Sequence, residues 1–136
     1  MTSGVAQVGQ IVEGAQEVTL ERSAAHLGSG TVSVYATPSM VLFIEQVCRS
    51  MIDDALPEGQ VTVGVQINLH HLAPTPVGDT VELRAEVVAV DGNVIDFEVE
   101  VWDSTEVVGK ATHRRVIIDV GRFIRRVEGK TPVTST

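Results

Sequence analysis

The chain has 136 residues and a formal net charge of -8 at pH 7. That length suits a single domain over residues 1–136, with flexible ends expected at residues 1–7 and 128–136. The acidic balance argues against nucleic acid as the main partner, and no apolar run in the sequence is long enough to span a bilayer.

Two further features of the sequence predict the cellular compartment of the protein. The first residues lack a basic segment followed by an apolar one, so we expect no secretory signal. The only cysteine, Cys48, cannot form an internal disulfide, which favours a reducing cytoplasm. Most of the basic residues follow Gly109, and that end suits either an anionic small ligand or a solvated basic tail.

The segment before residue 37 predicts one strand and one loop. Residues 10–21 alternate imperfectly between apolar and polar side chains, which indicates a strand with a bulge or bend at Gly14. Residues 23–35 follow no clear period and contain two glycines, so we expect a loop there.

Residues 37–56 predict one long buried helix. Thr37 suits the N-cap, where its hydroxyl can accept a hydrogen bond from a first-turn N–H, and Pro38 suits the first helical position. Glu45 shares a helical row with apolar residues, so its carboxylate should be paired, hydrogen-bonded or protonated rather than turned to water. It is therefore either a structural polar contact or a catalytic acid. Four side chains should be largely buried: Met40, Ile44, Val47 and Met51.

Four strands follow the helix, at residues 61–71, 79–90, 93–102 and 106–118. Short connections between them predict an antiparallel meander, and the fold class is therefore α+β, with a five-stranded antiparallel sheet and one long helix. One helix cannot cover both faces of such a sheet, so we expect a polar outer face or a partner, most simply in a two-fold homodimer. The last residues indicate a short helical segment and a disordered end.

Strand parity distinguishes the two adjacent histidines. The apolar face of the first meander strand runs through Ile67 and Leu69 to His71, whereas His70 falls on the polar face. A half-buried histidine at a strand end can act as a general base near neutral pH, but the pattern alone favours a core histidine bonded to a backbone carbonyl. Adjacent strand residues point to opposite faces, so His70 and His71 make a poor metal site and no metal is expected.

Other positions carry two interpretations each. Thr37 either caps the helix or presents a hydroxyl at a helix N-terminus that favours an anion or a polarised carbonyl. Gly64 interrupts a valine-rich strand, which indicates either a bulge or close approach of a ligand. Arg115 could pair with Glu45, with a phosphate or with solvent, whereas Cys48 fits a small core residue better than a nucleophile.

Three segments are similar to the hotdog-fold thioesterases, and specifically to the fluoroacetyl-CoA thioesterase-like family. Residues 36–40 and then Glu45 match the threonine and glutamate spacing of that family's central helix. Residues 64–78 match its strand with the catalytic histidine, and residues 109–115 match its last strand. The resemblance extends from about residue 8 to residue 126.

The resemblance implies a hotdog fold, in which a five-stranded antiparallel sheet wraps around one long helix, and a homodimer with the acyl-CoA site at its interface. It implies Thr37, Glu45 and His71 as the catalytic residues, and Gly64 and Arg115 as substrate-binding positions. It implies no cofactor, because coenzyme A is part of the substrate.

The resemblance also implies a mechanism and a limit on specificity. The thioester carbonyl would lie near Thr37 and the helix N-terminus, Glu45 would attack it or direct a water, and His71 would transfer a proton. The fluoroacetyl-specific enzyme has a longer, aromatic lid segment before the helix, whereas residues 23–35 here contain no phenylalanine. We therefore expect hydrolysis of ordinary short or medium acyl-CoA thioesters.

Two alternatives remain open from the sequence. A hotdog-fold enoyl-CoA hydratase is the nearest other enzyme, but an Asp-x-x-x-x-His pattern is missing. A non-catalytic acyl-CoA-binding or sensing module would keep the pocket without needing Glu45 or His71, and the presence of both favours the enzyme.

Overall fold

The computed structural model describes residues 5–130, and the outermost parts of the expected flexible ends, residues 1–4 and 131–136, lie outside this range. Ala6 packs in the core, with only 3% of its surface exposed. The elements in chain order are β1 (Ile11–Glu17), a 3-10 turn (Leu20–Arg22), α1 (Ala24–Leu27), α2 (Thr37–Asp53), β2 (Gln60–His71), β3 (Thr80–Asp91), β4 (Val94–Trp102), β5 (Val107–Asp119) and α3 (Val120–Glu128).

The sheet is antiparallel throughout, with strand order β1-β3-β4-β5-β2. Only β3, β4 and β5 form a meander, so the predicted four-strand meander is wrong. β2 pairs with β5, and residues 72–79 cross from one side of the sheet to the other. Three strand spacings amount to about 14 Å, which eight residues can span easily. A short connection therefore did not require its two strands to be neighbours.

Helix α2 lies against the inner face of the sheet, as predicted, but its ends differ from the prediction. Ala36 occupies the N-cap without a side-chain hydrogen bond, and Thr37 is already the first helical residue, so the predicted Thr37 cap is wrong. The helix ends at Asp53 rather than Leu56. Two of the four side chains predicted to be buried are fully so, and the other two are partly buried: Met40 and Ile44, then Val47 and Met51.

A β-bulge in β2 changes which of its residues face the helix. The register with β5 shifts between Gly64 and Gln66, which leaves Val65 as the extra residue. Thr62 is consequently buried, whereas the predicted apolar face ran through the odd-numbered residues from the start of the strand. After the bulge the odd-numbered residues do face the helix, and His71 lies on that side as predicted.

Two expectations for the N-terminal region are also corrected. β1 pairs with β3 without a register shift, so there is no bulge at Gly14. That glycine is needed because a Cβ there would lie 2.7 Å from a Val47 methyl group. Residues 23–35 are not wholly a loop, because they contain the one-turn helix α1.

The two faces of the sheet differ in polarity. The inner face of β4 carries Ile95, Phe97, Val99 and Val101, all buried as the alternation predicts. The outer face exposes charged residues on β3, β4 and β5, including Arg84, Glu98 and Lys110. Among residues 5–130, no helix has both the length and the apolar character needed to cross a bilayer.

Candidate active site

The structure brings Thr37 and His71 together. We call this threonine and histidine the histidine pair, which does not include His70. The Thr37 Oγ1 atom lies 2.7 Å from His71 Nδ1, which joins the first residue of α2 to the last residue of β2. The ring of Tyr35 meets the His71 ring edge-on, with 6.4 Å between centroids. The Tyr35 hydroxyl donates to Gln16 at 2.6 Å, so the aromatic ring that orients His71 is itself fixed.

The histidine pair has the chemistry of a base next to a polarising group. Burial lowers the pKa of His71 below its ordinary value, and an interaction with the Ala73 backbone offsets part of this shift. His71 Nε2 is buried and has no hydrogen-bond partner among residues 5–130. If Nδ1–H donates to Thr37, the Nε2 lone pair is free to accept a proton.

The pair also lies at a helix N-terminus with free amides. The first intrahelical bond runs from Met40 N–H to the Ala36 carbonyl at 3.1 Å, so the earlier amides of Thr37 and Ser39 precede the hydrogen-bonded ladder. Free amides and the helix dipole favour negative charge at this point. This end of α2 can therefore stabilise a developing oxyanion.

Glu45 lies in a second group with Gly64 and Arg115, which we call the glutamate cluster. The Glu45 Oε2 atom lies 3.7 Å from Arg115 Nη1, and within residues 5–130 its carboxylate makes no hydrogen bond. A Cβ on Gly64 would lie 2.5 Å from Glu45 Oε2 and 3.1 Å from Arg115 Nη1. The absence of a side chain at Gly64 thus creates the space that the carboxylate occupies.

The Glu45 side chain is 40% exposed, which corrects the expectation that it could not turn to water. It faces a cleft of about 210 Å³ at the β2 edge, lined also by Val41, Gly64, Val65 and Ile67. A larger depression of about 480 Å³ lies on the outer face of the sheet, where Glu98 and Lys110 are among its lining residues. The smaller cleft is the one that contains a predicted catalytic residue.

Arg115 is buried, and its guanidinium makes hydrogen bonds to Thr62 and His113. Nε donates to Thr62 Oγ1 at 2.8 Å, and Nη2 donates to the Thr62 carbonyl at 3.1 Å. Nη1 lies 3.2 Å from His113 Nε2. Arginine has only donors, so His113 Nε2 must accept, and its proton lies on Nδ1, which donates to the Gln66 carbonyl at 2.9 Å. Burial, chiefly, lowers the pKa of His113, consistent with a neutral ring.

The histidine pair and the glutamate cluster do not meet within one chain. Thr37 and Glu45 are eight residues apart on α2, which corresponds to about 12 Å along the helix axis. His71 and Gly64 are likewise separated along β2, by roughly 20 Å of extended strand. A small substrate cannot contact both groups in a single chain.

Sequence reasoning missed Thr62 and Tyr35 as neighbours of the predicted site. Thr62 is in phase with Gly64, so recognising a bulge at Gly64 would have indicated it.

The structure also settles the surroundings of His70 and Cys48. His70 is exposed on the outer face, and burial raises the pKa of the Cys48 thiol to about 12, so this cysteine is no nucleophile. Among residues 5–130, no three His, Cys, Asp or Glu side chains are grouped to hold a metal.

Comparison with known proteins gives consistent matches. The family model of the fluoroacetyl-CoA-specific thioesterase matches residues 18–121. The fluoroacetyl-CoA thioesterase of Streptantibioticus cattleyicolor is 34% identical over 99 residues, which is 73% of this chain and 71% of that protein. A solved structure of the fluoroacetyl-CoA thioesterase has a TM-score of 0.87 at 29% identity, with 93% of this chain and 98% of that chain covered.

A hot-dog-like protein from Thermanaerovibrio acidaminovorans shows the same fold, with a TM-score of 0.86 at 24% identity and with 95% of this chain and 97% of that chain covered. The predicted hotdog fold is therefore confirmed, as is the resemblance drawn from the three segments. The chain belongs to the fluoroacetyl-CoA-specific thioesterase family.

Proposed function

We propose that this protein hydrolyses acyl-CoA thioesters to the free acid and coenzyme A. The observation that carries the proposal is the 2.7 Å contact between Thr37 and His71 at the N-terminus of α2. It places a proton acceptor and a hydroxyl at the N-terminal turn of α2, and hydrolysis of a thioester requires a proton acceptor and donors for the developing oxyanion. Family membership supports the same reaction.

The residues have separate roles in the proposed reaction. The thioester oxygen accepts from the Thr37 hydroxyl and the free amides of α2, which stabilise the charge that develops when the carbonyl carbon is attacked. Glu45 either attacks that carbon or orients the attacking water. When Glu45 orients a water, His71 accepts that water's proton as its oxygen attacks, and passes the proton to the thiolate as the C–S bond breaks. When Glu45 attacks, the C–S bond breaks to leave a mixed anhydride and the thiolate takes a proton from solvent; His71 then accepts the proton of the water that hydrolyses the anhydride. A single turnover in ¹⁸O-labelled water tests the direct route, because label that appears in Glu45 requires an anhydride formed by its carboxylate.

The catalytic residues come together in a homodimer, with the substrate between the two chains. β2 lies at a sheet edge, and Val65, which lines its cleft, is 53% exposed. An edge strand presents unpaired N–H and C=O groups with which a second chain can pair. Antiparallel pairing of β2 with its own copy, centred near Asn68, would set His71 of one chain beside Gly64 of the other. Glu45 of one chain would then complete the histidine pair of the other.

The substrate range follows from the segment before α2. Leu27 and Val32 are exposed, and the Tyr35 ring is buried against His71 rather than available as a lid. Short or medium acyl groups are the proposed substrates, with Gly64 and Arg115 forming part of the binding region. No separate cofactor is invoked, because coenzyme A belongs to the substrate. A cytoplasmic location, and the absence of nucleic-acid and membrane partners, remain predictions.

A panel of acyl-CoA substrates with a thiol-detecting reagent tests the proposed activity. We expect release of free thiol by the unaltered protein and its loss in His71→Ala. Binding of acyl-CoA without thiol release would instead identify a non-catalytic binding module. Hydration of an enoyl-CoA without thiol release would identify the hydratase. Light scattering on the same preparation tests the dimer, and a stable monomer that retains hydrolysis would contradict the interface site.

A further inference from the structure

A continuous chain of buried and part-buried hydrogen bonds leads to Arg115 of the glutamate cluster. Asp53, at the end of α2, accepts from the Thr62 hydroxyl at 2.7 Å and from the Thr62 amide at 3.0 Å. The same hydroxyl oxygen accepts from Arg115 Nε, whose guanidinium also reaches His113. The contacts therefore run from Asp53 through Thr62 to Arg115, and from Arg115 to His113.

This chain fixes the direction of the guanidinium. Thr62 binds Arg115 at Nε and Nη2, on one edge of the planar group, and His113 accepts from Nη1 on another. With these contacts made, the side of Nη1 that remains faces Glu45 at 3.7 Å. Arg115 is only 4% exposed, so it has no freedom to reorient toward solvent.

The distance from Arg115 to Glu45 matters because it is too long for a hydrogen bond. The carboxylate is attracted by charge, while its oxygen lone pairs stay free for a water or a carbonyl carbon. A glutamate that must act as a base or nucleophile benefits from being oriented without being fully hydrogen-bonded.

We propose that Thr62 and His113 are positioning residues, which hold Arg115 so that it orients the Glu45 carboxylate for catalysis. The inference rests on the proposed thioesterase function, and it assigns roles to two residues outside the predicted site. The bulge at Val65 contributes, because it sets Gly64 next to Glu45 and turns the Gln66 carbonyl to His113.

Steady-state kinetics of Thr62 variants test the proposal. Thr62→Val removes the hydroxyl and keeps the shape, and it should lower kcat about 10-fold with KM little changed, since small displacements of a catalytic group are costly. Thr62→Ser keeps the hydroxyl and should restore kcat to near the unaltered value. Thr112→Val, on the exposed face of β5, is the matched control and should leave kcat unchanged.

A double-mutant comparison separates positioning from a structural role. In a Glu45→Gln background, Thr62→Val should cause no further loss of kcat, because the group that it orients is already disabled. An equal loss in both backgrounds, or a change confined to KM, would overturn the positioning role. Absence of hydrolysis by the unaltered protein would instead refute the proposed function.

If Thr62→Val does not fold, His113 provides the second test. His113→Asn keeps a donor for the Gln66 carbonyl but removes the acceptor for Arg115, so it should lower kcat and show the same dependence on Glu45. His113→Gln can still accept from Arg115 and should retain more activity than His113→Asn. Equal activities of the two His113 variants would contradict the inference.

Discussion

The histidine pair and the glutamate cluster are held in opposite ways. His71 is fixed by direct contact, with Thr37 at 2.7 Å on Nδ1 and the Tyr35 ring at its edge. Glu45 is attracted by the charge of Arg115 at 3.7 Å, and its carboxylate occupies the space that a side chain at Gly64 would fill. The proton carrier is therefore rigid in each chain, whereas the carboxylate keeps free lone pairs at an open edge. This difference is consistent with the proposed dimer, in which a second chain would cover the open edge beside Glu45.

The largest effect is expected from removing the side chain of His71, the imidazole of the histidine pair. His71→Ala should lower kcat by roughly 10²-fold or more, as expected for loss of general acid–base catalysis. Glu45→Gln should cause a similar loss while keeping the fold. His70→Ala is the matched control, because that side chain is exposed on the outer face and should have a mild effect. A large loss in His70→Ala with none in His71→Ala would reverse the assignment.

Filling the space at the glutamate cluster should have the next largest effect. In Gly64→Ala the new Cβ would meet Glu45 Oε2 at 2.5 Å, and the flexible carboxylate would move away from Arg115. We expect kcat to fall by about 10-fold or more with little loss of thermal stability. Gly121→Ala, where a Cβ makes only ordinary 3.5 Å contacts, is the control. Unchanged kcat in Gly64→Ala would show that the carboxylate position is unimportant.

The dependence of kcat/KM on pH tests the role of His71 without any substitution. Burial lowers the pKa of His71 below its ordinary 6.5, so the neutral, proton-accepting form persists into more acidic solution. The midpoint of the acidic fall in kcat/KM should therefore lie below pH 6.5. A midpoint above 6.5 would mean that His71 is more easily protonated than its burial implies.

The smallest effect is expected from the acyl group itself. A methylene-sized difference in an apolar pocket is worth about 1–3 kcal/mol, and fluorine differs from hydrogen by less in size. With no aromatic lid formed by residues 23–35, kcat/KM for fluoroacetyl-CoA and acetyl-CoA should be similar. A ratio of several thousand in favour of the fluorinated substrate would show that other residues form the gate.

Comparing β4 with β2 shows how far the sequence can be interpreted. β4 alternates without interruption, and all four of its inward side chains follow from the pattern. In β2 the pattern also alternates, but the bulge at Val65 reverses the faces before it, so Thr62 was not anticipated. The bulge depends on pairing with β5 and on the His113 contact to Gln66, which are long-range contacts that a local period does not contain.

Candidate site residues could be named from the sequence, but their arrangement in space could not. Thr37, Glu45 and His71 were identified from their spacing and from the family resemblance, and their roles stay predictions. The position of the glutamate cluster at an open edge depends on the sheet order, which puts β2 at an edge, and that order was predicted wrongly. A connection of eight residues fits either topology, so the sequence carried no signal for it.

Mixing two inactive variants tests most directly whether two chains form one site. His71→Ala homodimers and Glu45→Gln homodimers should each be nearly inactive alone. After unfolding and refolding together in equal amounts, activity should return to about one quarter of the unaltered level, because half of the dimers are mixed and each has one intact site. If all catalytic residues act within one chain, no dimer contains a complete set, and the mixture stays as inactive as its components.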